Sequence, residues 1–301
     1  MSLSTASSDA YLAVDIGGTK ISVGVVNTAR TVVYESRIST PTTQVWESLA
    51  EQVSGALAWT AANNVRLLAC GVGCGGPMRV DEGVVSPLHI PEWRDFSLVW
   101  EMRELSGLDV VLENDAKALV LAEHWSRREK NINAVPSIMM SVLVSTGVGA
   151  GIIANEKLLM GRTGNAGHIG HVIVQENGNK CACGARGCLE AHISGPAIER
   201  AIGAPASKAN IQTRVAAGTL LGQAIASVAA TMDLTDVTVG GSVALGFGDE
   251  FFQAAQISAR KHAGLTFLKD LTISPVADRS LAPLVGAAAL AKYSIEHASC
   301  L

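Results

Sequence analysis

Three cysteines and one histidine in the middle of the chain have the residue types and the spacing of a closed metal site. Cys181, Cys183 and Cys188 follow His171 within a short segment that contains several glycines. One imidazole and three thiolates complete a tetrahedral zinc site of the structural kind, with no open position for a substrate. Because a cytosolic chain seldom needs disulfides, the alternative is that these cysteines are reduced and bind no metal. We predict structural Zn²⁺ at these four residues.

The segment Asp15-Ile-Gly-Gly-Thr-Lys20 has the composition of a phosphate-binding turn. Gly17 and Gly18 would let backbone N–H groups approach a phosphate with no Cβ in the way. Thr19 would add a hydroxyl donor and Lys20 a positive charge. Asp15 would hold Mg²⁺ through water, because this ion keeps several waters and binds few carboxylates. An ordinary hairpin turn has the same local composition, so both interpretations stay open at this point.

A second glycine-rich turn, Ser145-Thr-Gly-Val-Gly149, follows an apolar strand in the same way as the first. Two such hairpins indicate a duplicated domain, although a single match of this kind can arise by chance. The Gly-x-Gly-x-x-Gly sequence at Gly71, Gly73 and Gly76 is followed by Pro77 and a polar stretch. A dinucleotide-binding turn needs a helix there, so that interpretation fails. We interpret the segment around Gly76 as a tight loop near the substrate.

Asn114 and Asp115 follow a short apolar strand and precede a helical pattern. Asn and Asp are both favoured helix N-caps, and a cap is the simpler interpretation of the pair taken alone. In the functional interpretation, Asp115 is the general base that takes a proton from an attacking hydroxyl. One well-placed carboxylate is enough for that role, because phosphoryl transfer depends mainly on positioning and charge neutralisation.

The elements that position these residues follow from the period of the apolar pattern. Strands are predicted at 11–14, 21–25, 30–34, 67–72, 110–112, 138–144, 150–154 and 236–239, and helices at 44–63, 115–125, 212–232 and 283–293. The residues before position 10 are expected to form a polar tail. Alternation of strands and helices around two glycine-rich hairpins predicts an α/β fold built twice.

Composition limits the class of protein. The chain of 301 residues is 48% hydrophobic and 17% charged, which suits two well-buried domains. Its net charge of −4 gives no footprint for nucleic acid or an anionic membrane. No apolar run approaching a membrane span and no signal peptide are recognisable, so we expect a cytoplasmic protein without membrane or nucleic-acid partners. Cys70, Cys74 and Cys300 are expected to be small buried hydrophobes.

Together these motifs resemble the ROK family (repressors, open reading frames and kinases) over nearly the whole chain. The most specific part is Cys181-x-Cys-Gly-x-x-Gly-Cys-x-Glu190, which follows Gly170-His171 closely. The resemblance implies an actin-like (ribonuclease H-like) duplicated ATPase fold, with two domains around a cleft. Residues 1–125, joined by the closing helix 283–297, would form one domain. Residues 126–301 would form the other, with a zinc loop at 171–190.

The resemblance also implies an ATP-dependent sugar kinase that phosphorylates a 6-hydroxyl group. ATP and Mg²⁺ would be held by Asp15, Gly17, Gly18, Thr19, Lys20, Thr146, Gly147, Gly149, Gly240 and Gly241. The sugar would be held by Gly76, His89, Asn114, Asp115, His168, His171 and Glu190, with Asp115 as the base. In the family the histidine equivalent to His171 contacts the sugar while its second ring nitrogen binds zinc. A homodimer is a further expectation from the resemblance.

Two positions depart from the commonest family pattern. Many family glucokinases have Glu in a Gly-Glu-x-Gly-His motif, where this chain has His168. A histidine can donate as well as accept, so the sugar site should favour a different pattern of substituents. His89 occupies a loop where the family often has an Asn that reaches the sugar. An ordinary loop residue is an equal interpretation of His89.

The segment Ala166-Gly-His-Ile-Gly-His171 resembles that of family members that act on N-acetylhexosamines. This resemblance implies N-acetylmannosamine as the expected substrate, with glucose as the alternative. Transcriptional regulators of the family carry a helix-turn-helix domain, and only fourteen residues precede Asp15. A non-catalytic sugar sensor would be expected to lack the base or the phosphate turn, yet Asp15 and Asp115 are both present. A kinase is therefore the prediction.

Overall fold

A computed structural model of the chain describes residues 8–87, 89–131, 135–277 and 282–297. The strands are β1 (Ser8–Ile16), β2 (Lys20–Asn27), β3 (Val32–Ser39), β4 (Val65–Cys74), β5 (Met78–Arg79), β6 (Val84–Val85), β7 (Val110–Asn114), β8 (Ile138–Val144), β9 (Val148–Ala154), β10 (Lys157–Leu158), β11 (Asp236–Gly240) and β12 (Thr272–Pro275). The helices are α1 (Val45–Ala62), α2 (Leu98–Ser106), α3 (Asp115–Lys130), α4 (Glu190–Ile193), α5 (Gly195–Ile202), α6 (Ile211–Met232), α7 (Ser242–Phe247), α8 (Asp249–His262) and α9 (Ala282–His297).

The chain divides into two compact units. Unit 1 contains the described residues of Met1–Ser126 and Ser280–Leu301, and unit 2 contains those of Arg127–Arg279. The division falls inside helix α3, after its first three turns. The predicted role of Cys300 lies outside the described residues.

The central sheet of unit 1 has the strand order β3-β2-β1-β4-β7. Strands β1 and β2 form an antiparallel hairpin, while β4 runs parallel to β1 and β7 parallel to β4. Both faces of β1 are buried. Its alternate residues from Ala10 to Ile16 share a hydrophobic cluster with α1, and the apolar residues between them, on the other face, are also buried. The carboxyl ends of β1, β4 and β7 therefore meet at one edge of a covered sheet, where parallel strands place ligand sites.

Glycines let helix α9 approach that sheet closely. A Cβ on Gly71 would lie 1.7 Å from the carbonyl oxygen of Ala287, so the backbone of α9 occupies the space of a side chain. Gly286 of α9 packs in the same way on Ala118 of α3. Gly71, the first glycine of the Gly-x-Gly-x-x-Gly sequence, is thus needed for packing, in agreement with the rejection of a dinucleotide site.

Unit 2 repeats the topology of unit 1. Its sheet has the order β10-β9-β8-β11-β12, with an antiparallel hairpin β8–β9 followed by parallel β11 and β12. Each sheet therefore has a hairpin in its centre and two later strands added in parallel on one side. This repetition confirms the predicted duplication, and the mixed α/β fold is the expected one.

Helix α6 corrects one expectation. By length and composition alone its 22 residues are apolar enough to cross a membrane, although no apolar run of that length was expected from the sequence. The helix instead packs against α8, because a Cβ on Gly218 would lie 2.2 Å from the carbonyl oxygen of Phe251 and one on Gly222 would lie 2.1 Å from that of Ala255. Such close backbone contact identifies α6 as a core helix of unit 2.

A second correction concerns the start of the fold. The expected polar tail extended to Asp9, but β1 begins at Ser8, and the Asp9 carboxylate accepts a hydrogen bond of 2.7 Å from Arg66 of β4. Polar residues at an exposed strand end give no apolar alternation, so the pattern could not show that the strand begins there.

Candidate active site and metal centre

The first phosphate turn is a closed hairpin loop. Gly17 donates its N–H to the carbonyl oxygen of Lys20 at 2.9 Å, which leaves Gly18 and Thr19 exposed at the tip. The Thr40 hydroxyl closes the base of the loop by donating to the carbonyl oxygen of Gly17 at 2.7 Å. Thr40 was absent from the predicted site. Thr40 reaches the turn only because β3, which precedes it, pairs with β2, and the sequence of the turn itself gives no sign of that pairing.

A steric reason for Gly18 emerges from its surroundings. A Cβ at this position would lie 2.4 Å from the Cβ of His89, far inside the normal contact distance. His89 is exposed and lies over the phosphate turn. The structure therefore brings His89 together with the predicted phosphate turn, and its contact with a sugar stays a prediction.

The base candidate stands at the same sheet edge as this turn. In the strand register Asp15 pairs with Gly73, Gly73 with Glu113, and Cys74 with Asn114, so Asp115 begins α3 just beyond the edge. The side-chain oxygens of Asn114 and Asp115 both accept the N–H of Ala116, at 3.0 and 2.9 Å. Asn114 is thus a helix cap, as the simpler interpretation had it, and it also fixes the start of α3.

Both carboxyl groups titrate far above their usual range. The pKa of Asp15 is raised to about 7, chiefly by burial and also by the negative charge of Asp115, while the positive charges of Lys20 and Arg37 lower it. Burial also raises the pKa of Asp115 to about 6, against hydrogen bonds from backbone N–H groups that lower it. A carboxylate whose pKa lies near neutrality is suited to general base catalysis at physiological pH.

Unit 2 contains a matching turn. Strands β8 and β9 are joined at Ser145 to Gly147, where the Ser145 N–H donates to the carbonyl oxygen of Gly147 at 2.9 Å. The Ser145 and Ser242 hydroxyls lie 3.0 Å apart, so the turn meets the start of α7. Gly241 has φ of 97°, and a Cβ there would lie 2.3 Å from the carbonyl oxygen of Val144. The Gly240–Gly241 pair is therefore at the same edge of the sheet as the second turn.

The predicted sugar residues of unit 2 are attached to strand β9. One carboxylate oxygen of Glu190, the first residue of α4, accepts the N–H of Val148 at 2.9 Å. The rings of His168 and His171 lie with centroids 5.9 Å apart. A Cβ on Gly170, between them, would lie 2.2 Å from the carbonyl oxygen of Val148. Both histidines and Glu190 are thus positioned around the first residues of β9.

The four predicted metal ligands converge. One side-chain ligand atom from each of His171, Cys181, Cys183 and Cys188 lies within 4.8 Å of the others. His171 Nδ1 is 3.7 Å from Cys181 Sγ, and the Sγ atoms of Cys183 and Cys188 are 3.6 Å apart. A tetrahedron with Zn–S bonds of about 2.3 Å has edges of about 3.8 Å, so the spacing fits zinc.

The zinc loop is shaped by its glycines. Gly184 and Gly187 have φ of 97° and 77°, and a Cβ on Gly187 would lie 1.7 Å from the carbonyl oxygen of Gln175. The Cys181 N–H donates to the carbonyl oxygen of Ala185 at 2.8 Å, which closes the loop. Only glycine adopts this backbone readily, as the spacing of the motif predicted.

Two glycine turns on duplicated sheets, a buried carboxyl group at the sheet edge and a His-Cys₃ cluster are the features expected of a sugar kinase with the actin-like fold. The family model described as "ROK family" matches residues 11–294, and the chain belongs to that family. An N-acetylmannosamine kinase from Yersinia pestis (strain Pestoides F) is 36% identical over 258 residues, which is 79% of this chain and 84% of the relative.

Solved structures agree with this assignment. A ROK hexokinase from Thermus thermophilus superposes with a TM-score of 0.80 at 29% identity, over 95% of this chain and 99% of that one. A ROK family glucokinase from Streptomyces griseus, in complex with glucose and AMPPNP, gives a TM-score of 0.77 at 27% identity, over 94% and 99% of the two chains. The protein is therefore an ATP-dependent sugar kinase that uses Mg²⁺, and its His-Cys₃ cluster is compatible with structural zinc.

Proposed function

We propose that this sugar kinase phosphorylates the 6-hydroxyl group of N-acetylmannosamine. The observation that carries the proposal is His168, which lies beside His171 in place of the carboxylate found in many family glucokinases. An imidazole offers one donor and one acceptor, whereas a carboxylate accepts only. The similarity to an N-acetylmannosamine kinase at 36% identity supports the same choice.

In the proposed reaction, Asp115 accepts the proton of the sugar 6-hydroxyl group while the oxygen of that hydroxyl attacks the γ-phosphorus of ATP. The bond between that phosphorus and the β–γ bridging oxygen breaks, and ADP leaves with the electron pair. Mg²⁺ neutralises charge on the phosphates when bound, and Asp15 would hold it through water. The pKa of about 6 keeps Asp115 mostly ionised at pH 7.5, ready to accept a proton.

The remaining roles are proposals of the same kind. In unit 1 the N–H groups of the Gly17–Gly18 turn, with Thr19 and Lys20, bind phosphate, while Asn114 and Gly76 bind sugar hydroxyls. In unit 2 the residues Thr146, Gly147, Gly149, Gly240 and Gly241 bind ATP, and His168, His171 and Glu190 bind the sugar. Zinc would hold His171 and the loop that precedes Glu190, without taking part in the chemistry.

Glucose is the second candidate substrate, favoured by the similarity to a glucokinase solved with glucose. A coupled ADP-release assay over glucose, mannose, allose, N-acetylglucosamine and N-acetylmannosamine separates the two candidates. We expect the highest kcat/KM for N-acetylmannosamine. A higher value for glucose would favour the alternative, and the Asp115→Asn variant, purified identically, controls for contaminating kinases. A sugar-sensing role without catalysis would give no turnover with any sugar.

We further propose a cytoplasmic homodimer that acts on small molecules rather than nucleic acid or membranes. The acidic balance of the chain and its family membership support this proposal. Light scattering during gel filtration would measure the mass, and a monomer at micromolar concentration would contradict the dimer.

A further inference from the structure

Two opposite charges are buried beside the base. Glu113 is the penultimate residue of β7 and is 3% exposed, and Lys117 on the first turn of α3 is 2% exposed. The Lys117 ammonium lies 2.9 Å from one oxygen of the Glu113 carboxylate and 3.2 Å from the other. Removing two charges from water is costly, and replacement of such a pair by apolar residues often leaves stability unchanged. Stability alone therefore does not explain why charges occupy this position.

The carboxylate of this pair also holds the backbone in front of the base. The Glu113 oxygen closest to Lys117 accepts the N–H of Asn114 at 3.0 Å. Asn114 and Asp115 then share the N–H of Ala116 through their side-chain oxygens. Hydrogen bonds thus link the ammonium, the carboxylate and the backbone N–H of Asn114, the residue immediately before Asp115.

The neighbouring strand offers no side chain at the position of Glu113, because Glu113 pairs with Gly73 in the register of β4 and β7. Helix α3 is fixed further along, where Ala118 meets Gly286 of α9. The first turn, which determines where the base points, is positioned at its other end by Glu113.

We propose that the Glu113–Lys117 ion pair is a positioning device for the general base, fixing the backbone at Asn114 so that the carboxylate of the next residue, Asp115, points at the attacking hydroxyl. This inference rests on the proposed role of Asp115. Lys117 holds the Glu113 carboxylate in place, and Glu113 fixes the Asn114 N–H. Neither residue touches the substrate.

The decisive variant is Lys117→Met, which keeps the length of the side chain and removes the charge. We expect kcat to fall about 10- to 100-fold, because a displacement of about 1 Å in a catalytic group has an effect of that size. The KM for ATP should stay within about threefold, since the phosphate turns are unchanged. Lys117→Arg keeps the charge and should recover most of the lost kcat.

Stability is controlled in two ways. Val120→Ala removes buried volume from the same helix, away from the pair, and should lower the Tm while leaving kcat unchanged. The double variant Glu113→Leu/Lys117→Met leaves no buried charge, so it should melt close to the parent. It also leaves the Asn114 N–H without the Glu113 acceptor, so it should show the low kcat of Lys117→Met. It takes the place of the single variant if that protein does not fold.

The outcomes separate this inference from the proposed function. If Asp115→Asn is inactive but Lys117→Met or the double variant keeps kcat within about threefold of the parent, the positioning role is wrong and the function stands. A loss of kcat in Val120→Ala as large as that in Lys117→Met would assign the effect to stability, and failure of both charge variants to fold would do the same. If Asp115→Asn itself keeps kcat, the proposed base is wrong and the pair has no base to position.

Discussion

The substitution Asp115→Asn should inactivate the kinase and stabilise its fold at the same time. The pKa of Asp115 rises from 3.8 to about 6 on folding, chiefly because the carboxyl is buried. The folded protein therefore binds this proton more tightly than the unfolded chain, and its free energy of unfolding falls as the pH rises from about 4 to about 6. At 1.36 kcal/mol per pH unit, the ionised carboxylate destabilises the fold by about 3 kcal/mol at pH 8.

Asparagine has nearly the same shape and cannot ionise, and its amide oxygen can still accept the Ala116 N–H. The variant should therefore be more stable than the parent at pH 8 by up to about 3 kcal/mol, with about half of that difference at pH 5. For a domain of about 150 residues this is roughly 6–12 °C in Tm. At the same time kcat should fall by about 10²- to 10⁴-fold, because the proton of the attacking hydroxyl has no acceptor.

Thermal unfolding at pH 5 and pH 8 measures the effect, in buffer without substrates or Mg²⁺ and without a chelator that would remove zinc. Asp9→Asn is the matched control, because its exposed carboxylate has a pKa lowered by Arg66 and its removal should not stabilise the protein at pH 8. A gain for Asp115→Asn that is absent at pH 8, or equal at both pH values, would refute the electrostatic reasoning. An active variant would refute the role of the base.

Three further predictions concern the phosphate turn, the sugar site and the metal. Gly18→Ala should lower kcat/KM for ATP roughly 5- to 150-fold, since relieving a clash with the Cβ of His89 costs about 1–3 kcal/mol; the double variant with His89→Gly, which removes that Cβ, should recover activity if the clash is the cause. His168→Glu should move the ratio of kcat/KM for N-acetylmannosamine and glucose towards glucose, and an unchanged ratio in the ADP-release assay would remove His168 from specificity. Elemental analysis should find about one zinc per chain and less in Cys183→Ser, whose melting temperature should also fall; fully active parent protein without zinc would contradict the site.

Features encoded by neighbouring residues were predictable from the sequence. The zinc ligands are close together in the chain, and Gly184 and Gly187 adopt the positive φ angles that their spacing implied. In both glycine-rich hairpins an apolar strand precedes the turn and another follows it, so the strands and the duplication could be predicted. Asp115 was identifiable because Asn-Asp follows a strand and opens a helix, the local signal for both a cap and a base.

Features that depend on long-range packing were not predictable in this way. The contact between His89 and Gly18 joins residues about seventy positions apart, and nothing in either segment indicates the other. The pairing of Glu113 with Lys117 spans the junction of a strand and a helix, where neither a period of two nor a period of 3.6 applies. Helix α8 was missed because no element was predicted between the Gly240–Gly241 pair and the closing helix, and its buried face becomes clear only when it packs on α6.

The predicted ATP turn and the predicted sugar residues of unit 2 share one strand, which limits how independently they can change. The N–H of Val148, two residues beyond Thr146 of the turn, is bound by Glu190, and its carbonyl oxygen lies against Gly170. Ala150 of β9 donates its N–H to the carbonyl oxygen of Gly167 at 2.7 Å, and Gly167 immediately precedes His168. A substitution that moves this segment to admit a different sugar must therefore also shift the first residues of β9. Changes in sugar preference at His168 should accordingly be accompanied by changes in the KM for ATP, because closely packed backbones transmit such displacements.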